Sequence, residues 1–483
     1  MSARYGGALA ALACLLLAGG CATASRGPEG PRRDWDWGPI ASRQTAPDGT
    51  ERIRALGPVV ETVRAPDGSR LTAVRPFFAR ETDAASGWEH TDWLWPVGES
   101  KRLEGGALSW RLLTAYGRQP DPDDPHGRWR LWVLPLYFQG RDAQGRGYLA
   151  VFPVGGRVRD FLTYDEAVFA LWPLWSRTRR GATTTHHALW PVVSWTDGPG
   201  IRRARVFPLY GVGHYRQWAS HRFVLWPLWS EARYHQPPPG GYGFLAFPLY
   251  GRVRRGEERS DSVLPPFFRL SRSPTQTEVT APWPIVRIRR GDLHETTVWP
   301  LFGHRRREGI AEDSLLWFFF QRERIDRGAV EVERWRAVPV LTVETHHARD
   351  DARPPVREVR VWPLLSYRRR GEAQRFRLLE LWPARGARPV ERSWAPFWTL
   401  LDVRAEGDAR ETELLWGLYR RRVRAPGQQR TSLFPLIEWD RCGPEERGWQ
   451  VLKGLAGYRR EGADRRLRLF YAFSVNLGGD DAP

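Results

Sequence analysis

The chain is 483 residues long, with a formal net charge of +19, 26 tryptophans and three cysteines. Its cations are arginines apart from Lys101 and Lys453, so the expected partners are anions that accept paired guanidinium hydrogen bonds; a GC-rich genome enriches arginine as well. Length alone suggests about three domains. The cysteine count excludes a disulfide framework, because Cys14 and Cys21 sit near the N-terminus and leave Cys442 alone.

In chain order, Arg4 precedes an apolar stretch over 8–18 that contains Leu15-Leu16-Leu17. It is too short to span a bilayer as a permanent helix. It runs into Leu17-Ala18-Gly19-Gly20-Cys21. Small residues leading into a cysteine resemble the lipobox of bacterial lipoproteins. The match departs from the usual pattern in one place, with Ala18 three before the cysteine where the family has leucine. The resemblance covers the N-terminus alone. It implies a signal peptide over 1–20, cleavage before Cys21 and acylation of that residue. Ala22 rather than Asp follows the cysteine, which resembles lipoproteins sent to the outer membrane of Gram-negative cells. An ordinary secretory signal cut near Ala24 is the alternative. Residues 21–52 then read as a flexible tether, rich in Gly, Pro, Arg and Asp, as in Ser25-Arg26-Gly27-Pro28-Glu29-Gly30-Pro31.

From 53 to 475 one motif recurs. It reads Trp172-Pro173-Leu174-Trp175, Trp190-Pro191-Val192, Phe207-Pro208-Leu209-Tyr210, Trp226-Pro227-Leu228-Trp229 and Phe247-Pro248-Leu249-Tyr250. Between Pro58 and Leu455 there are about 22 such units of ~19 residues. A fixed period overrides the three-domain estimate, since arrays grow in one dimension without separate cores. Pro383 and Pro396 count among the units, although spacing loosens after Pro339. The segment 467–473 reads as a closing strand, and 476–483 as a C-terminal tail.

Aromatic and β-branched cores with Gly, Asp, Arg and Pro spacers predict an all-β chain. In the unit 243–256, one face of a strand would carry Leu245, Phe247, Leu249 and Val253. Two spacer compositions alternate over part of the array. Arg/Gly-rich spacers such as 177–181 and 252–256 follow alternate cores, and Thr196-Asp197-Gly198-Pro199 and Gln236-Pro237-Pro238-Pro239-Gly240 lie between them. This predicts an antiparallel up-and-down meander whose two edges carry different turns. Proline cannot donate to a ladder, so each unit should kink or turn a corner. A bent or stacked sheet is expected, with a closed β-barrel as the alternative.

Several clusters invite a chemical reading. The tetrapeptides Thr185-His186-His187-Ala188 and Thr345-His346-His347-Ala348 are identical, but neighbours on a strand point to opposite faces, so no metal site is expected. Trp172, Trp175, Trp190, Trp195, Trp226, Trp229, Trp283, Trp299 and Trp362 belong to the repeat cores. Packing between units is their expected role, with sugar binding or an interfacial belt as alternatives. Arginines cluster in the spacers at Arg179, Arg180, Arg254, Arg255, Arg306, Arg369, Arg370, Arg459 and Arg460. Along one edge they would form a basic stripe suited to phosphates. Cys442 lies in a turn-like Asp440-Arg441-Cys442-Gly443-Pro444 and reads as an incidental thiol.

No phosphate loop, nucleophile elbow, His-Glu-x-x-His or spaced cysteine pair occurs. The expectation is a non-enzymatic, lipid-anchored cell-envelope protein with a structural or binding role and no cofactor. Its expected partners are a membrane through the N-terminal lipid, and lipopolysaccharide, lipid phosphates or acidic wall polymers; nucleic acid is not among them. An integral outer-membrane β-barrel serving transport or envelope assembly is the alternative. The sequence leaves the oligomeric state open.

Overall fold

In the computed structural model the described residues are 34–46, 48–102, 106–120, 124–349, 354–383 and 386–477, with backbone also described at 25–26 and 31–32. The expected signal peptide and lipidated Cys21, and the last six residues, lie outside them. Two units are distinguished, a central one over Trp95–Ala387 and a terminal one formed by Met1–Leu94 with Arg388–Pro483.

The chain is all-β, an antiparallel meander whose consecutive strands pair within each unit. Its strands are short. Trp175–Arg180, Thr183–Ala188, Val193–Gly198 and Ile201–Val206 each have six residues. Trp175 pairs with Ala188 and Arg180 with Thr183, then Val193 pairs with Val206 and Gly198 with Ile201. The repeat is therefore one β-hairpin. Within it, side chains alternate as the pleat demands: in Ile201–Val206, residues 202, 204 and 206 are exposed and 201, 203 and 205 half-buried.

The motif expected at the middle of a kinked strand is instead a chain reversal. Residues 171–174 form a turn closed by Leu174 N donating to Leu171 O at 2.8 Å, with Trp172-Pro173 joined by a cis peptide. Cis-proline at the third position defines a type VI turn. A turn is where proline costs no ladder hydrogen bond, which is why it recurs there. In the unit 243–256 the strand ends at Ala246, the chain turns through Pro248, and Tyr250–Arg255 returns beside it. Leu245 and Leu249 thus do not share one continuous strand.

This reassigns the spacers. All of them, arginine-rich or proline-rich, sit at the edge opposite the proline turns. The two edges do differ, but the partition is motif against spacer and not one spacer against the other. Gly181 and Gly256 take a φ of +57° in two-residue hairpins, a conformation that favours glycine.

Three boundaries also move. The meander begins at Trp35–Trp37 and Ala41–Thr45, inside the expected tether. Asp34 holds this segment by accepting hydrogen bonds from Thr45 N at 3.0 Å and Thr45 Oγ1 at 2.9 Å. Pro396 does not mark a hairpin; it opens the helix Ala395–Trp398, which follows the helix Arg388–Ser393. Proline is well suited to a first helical turn, where its missing N–H is not needed. The expected closing strand over 467–473 is split by a turn between Asp464–Leu469 and Phe473–Asn476.

The sheet is not closed. Trp35–Trp37 pairs only with Ala41–Thr45, and Phe473–Asn476 only with Asp464–Leu469, among the described residues. In the central unit the two ends of the meander do come near one another, with the rings of Trp95 and Trp382 at 5.7 Å.

Buried apolar side chains are few. The central unit has one cluster of Phe138, Tyr148, Ala150 and Val158, against which Trp132 and Phe161 pack. Trp132 Nε1 donates to Tyr148 Oη at 3.0 Å. No tryptophan among the described residues is fully buried.

Candidate functional site: an apolar ridge of proline turns

Successive turns are joined to one another. In the central unit, Trp172 N donates to Pro153 O, Trp190 N to Pro173 O and Trp226 N to Pro208 O, each at 2.8 Å. The residue before proline in one turn therefore stacks near its counterpart in the next. Ring centroids lie 5.1 Å apart for Phe152 and Trp172, 5.6 Å for Trp172 and Trp190, and 5.4 Å for Phe207 and Trp226. Turns recur every second strand, so they are spaced by roughly 10 Å along the edge. The expected packing between units thus occurs, but it leaves the rings about half exposed.

A leucine opens several of the turns, whereas Val206, Ala246 and Val298 precede others, and sequence reasoning did not single it out. Leu171, Leu189, Leu225, Leu264 and Leu316 all have φ between 44° and 50°. That is the left-handed region, which costs a branched-chain L-residue on the order of 1–2 kcal/mol. These side chains are also exposed, at 61 % for Leu171, 55 % for Leu189 and 50 % for Leu225. Glycine or asparagine would be the easier backbone choice, and burial is not the reason for leucine. The available signal was the repeated tetrad Leu-Trp-Pro-Leu at 171–174 and 225–228.

The row of strand residues next to the turns extends this surface. Val206 pairs with Tyr210, Tyr210 with Val224 and Val224 with Trp229, and all four are exposed. In the terminal unit, Phe77, Leu436 and Phe470 are exposed at equivalent turns. Soluble monomers rarely leave long contiguous apolar patches uncovered.

The other edge is polar. Arg179, Arg180, Arg254, Arg255, Arg306, Arg369 and Arg370 of the central unit, and Arg460 of the terminal unit, lie at or next to the hairpin ends of their strands, with Arg459 one residue further in. Adjacent arginines point to opposite faces, so they do not converge on one stripe. Many are already engaged. Arg254 contacts both oxygens of Asp261 at 3.2 and 2.9 Å, Arg255 lies 5.6 Å from the Tyr234 ring, and Arg369 Nε donates to Gly371 O at 3.1 Å.

Several charges on the strand faces are paired with opposite charges across the ladder. Arg289 lies between Glu278 at 3.3 Å and Glu295 at 3.2 Å, and Arg334 between Glu323 at 2.8 Å and Glu344 at 2.7 Å. In the terminal unit, buried ion pairs join the strands of its two chain segments. Arg54 Nη1 meets Glu413 Oε1 at 2.5 Å, and Arg420 reaches Asp36 Oδ2 at 2.6 Å and Glu413 Oε1 at 3.2 Å. Arg75 pairs with Glu61 and donates to Arg392 O. Burial pushes the Glu61 carboxyl up, but Arg54, Arg75 and Arg52 hold it down to about 2. Burial likewise opposes Glu413, which Arg54 and Arg420 hold far below the usual carboxylate range. Charge therefore adds to packing in holding the terminal unit together.

The histidine pairs divide between faces as the strand period requires. His186 stacks on Trp195 at 5.0 Å, whereas burial and Arg205 lower the pKa of His187. His346 is 2.5 Å from Glu344 Oε1. Burial and Glu446 raise the Cys442 thiol, so its reactive thiolate is disfavoured.

The fold and its two unlike edges define an open array of β-hairpins with an apolar turn ridge. No protein-family model and no curated protein matches the chain.

Proposed function

We propose that this protein is a lipid-anchored scaffold of the bacterial cell envelope, held at the outer membrane through Cys21 and lying with its proline-turn ridge in the interfacial layer of a bilayer. The observation that carries this reading is the recurrent leucine in a left-handed, half-exposed turn position. An apolar surround gives such a residue a purpose that neither backbone preference nor burial supplies. The turns and the adjacent apolar row suit the ~5–10 Å depth of interfacial insertion. Tryptophans packed side by side along the ridge are the residue type favoured at that boundary. The hairpin edge, with its arginines, then faces away from the lipid toward acidic polymers of the envelope.

The integral-barrel alternative fits less well. Regular strands of about six residues fall short of the ~9–11 needed to cross a bilayer, and ion-paired arginines and glutamates occupy their faces.

The test uses the Cys21→Ala chain, which lacks the acyl acceptor. It should sediment with phospholipid vesicles and be released by detergent, with binding that persists in high salt because it is apolar. A Cys21→Ala chain that stays in solution with vesicles at all salt concentrations removes the ridge from the membrane.

A further inference from the structure

The last hairpins of the terminal unit set several arginines opposite one another. In register, Arg459 stands opposite Arg466, and Arg460 opposite both Arg447 and Arg465. Like charges directly across a ladder are destabilising. Like-charge pairs occur elsewhere too, as at Arg254 opposite Arg259 and Arg368 opposite Arg375, but there Arg254 also contacts Asp261 and Arg368 contacts Glu358.

Arg459, Arg466 and Arg468 line a cavity of ≈ 530 Å³, within the usual size of small-ligand sites. Seven arginines and three carboxylates line it in all. Gly448 and Gly457 contribute no side chain to its wall, which keeps the space open between Asp440 and Arg468. The three arginines are only partly engaged. Arg459 Nε contacts Glu461 at 2.9 Å, Arg468 gives Nε and Nη2 to Tyr471 O, and Arg466 makes no hydrogen bond or ion pair among the described residues.

We propose that this cavity binds an organic phosphate of about the size of a phosphorylated sugar. An anion shared by Arg459, Arg466 and the remaining donor of Arg468 relieves their mutual repulsion, and guanidinium geometry suits phosphate oxygens. Asp440 lines the same cavity and supplies acceptors for hydroxyl groups, which favours a sugar phosphate over a bare anion. Two sources share this chemistry, a soluble sugar phosphate and the phosphorylated sugar headgroup of a lipid. The assignment rests on neither the anchor nor the ridge.

Cys442 lines the cavity and is exposed, so it reports occupancy. The rate of maleimide labelling of the mature chain is measured with glucose 1-phosphate, with phosphatidylinositol 4-phosphate vesicles, and with neither. Protection by glucose 1-phosphate supports the soluble source, and protection by the vesicles alone supports the headgroup. Arg466→Gln should weaken the protecting ligand by about ten-fold or more, as expected for loss of charge-assisted hydrogen bonds. Arg465→Gln removes the same charge from the opposite face of the strand and should leave affinity within a few-fold. No protection by either probe overturns the proposal. So does an equal loss in Arg465→Gln, which would mean diffuse attraction to a basic surface.

Discussion

Replacing Leu171, Leu189 and Leu225 together by asparagine separates the two demands made on these residues. Asparagine tolerates the left-handed region, so each substitution returns on the order of 1 kcal/mol of backbone strain. Each also removes the buried part of a leucine. Burying a whole leucine contributes ~1.5–3 kcal/mol, so the half that is buried here is worth about 1 kcal/mol. The two effects cancel, and the melting temperature of the triple variant should stay within a few degrees of the parent. Membrane affinity should behave differently. The exposed halves, at 61, 55 and 50 %, are what enters lipid. Their loss costs about 3 kcal/mol in total, or roughly 100-fold in partitioning. Vesicle co-sedimentation in the Cys21→Ala background, with circular dichroism melts on the same samples, reads both quantities. Unchanged vesicle affinity would refute the role of the ridge. A loss of more than about 3 kcal/mol of folding stability would show that these leucines act in packing.

Two further outcomes follow from the charged interior of the terminal unit. Glu61 is held down to about 2, so its contribution is present above the ordinary carboxylate pKa and is lost as pH falls from about 4.5 toward 2. The shift corresponds to about 3 kcal/mol, with Glu413 adding in the same direction. Melts recorded from pH 7 to 2 should drop steeply below pH 4.5, and a flat profile would contradict the assignment. Arg420→Met leaves Asp36 and Glu413 each without one buried guanidinium partner. Its expected cost is about 3–5 kcal/mol in denaturant unfolding, and a neutral result would mean that solvent reaches these carboxylates.

Much of the architecture was legible in the sequence because it is local. The period of the aromatic-proline motif, the β-forming composition and the glycine-bearing spacers each depend on a few consecutive residues, and they determine an all-β antiparallel meander built from a repeated unit. What the motif itself does was not legible. A proline between aromatics is compatible with a kink or a reversal, and only the hydrogen bond from Leu174 N to Leu171 O and the pairing of Ala170 with Trp175 decide for the turn. The helices at 388–398 were missed because Pro396 imitates the motif while its neighbours bury Val390, Arg392 and Ser393.

The candidate sites divide in the same way. Leucine content is written in the sequence, but the left-handed backbone and half exposure of Leu171 arise only when strands on both sides pair. Arginine content is written as well, yet which arginines are satisfied depends on register. Arg334 finds Glu323 eleven residues before it and Glu344 ten after it, while Arg466 meets Arg459. The buried pairs Arg54–Glu413 and Arg420–Asp36 join residues more than 350 positions apart, which no local pattern encodes. Sequence determined the repeating element, because propensity and turn chemistry act over short range. Tertiary structure decided which face of each element is wet, charged or free, because that depends on what the chain brings back beside it.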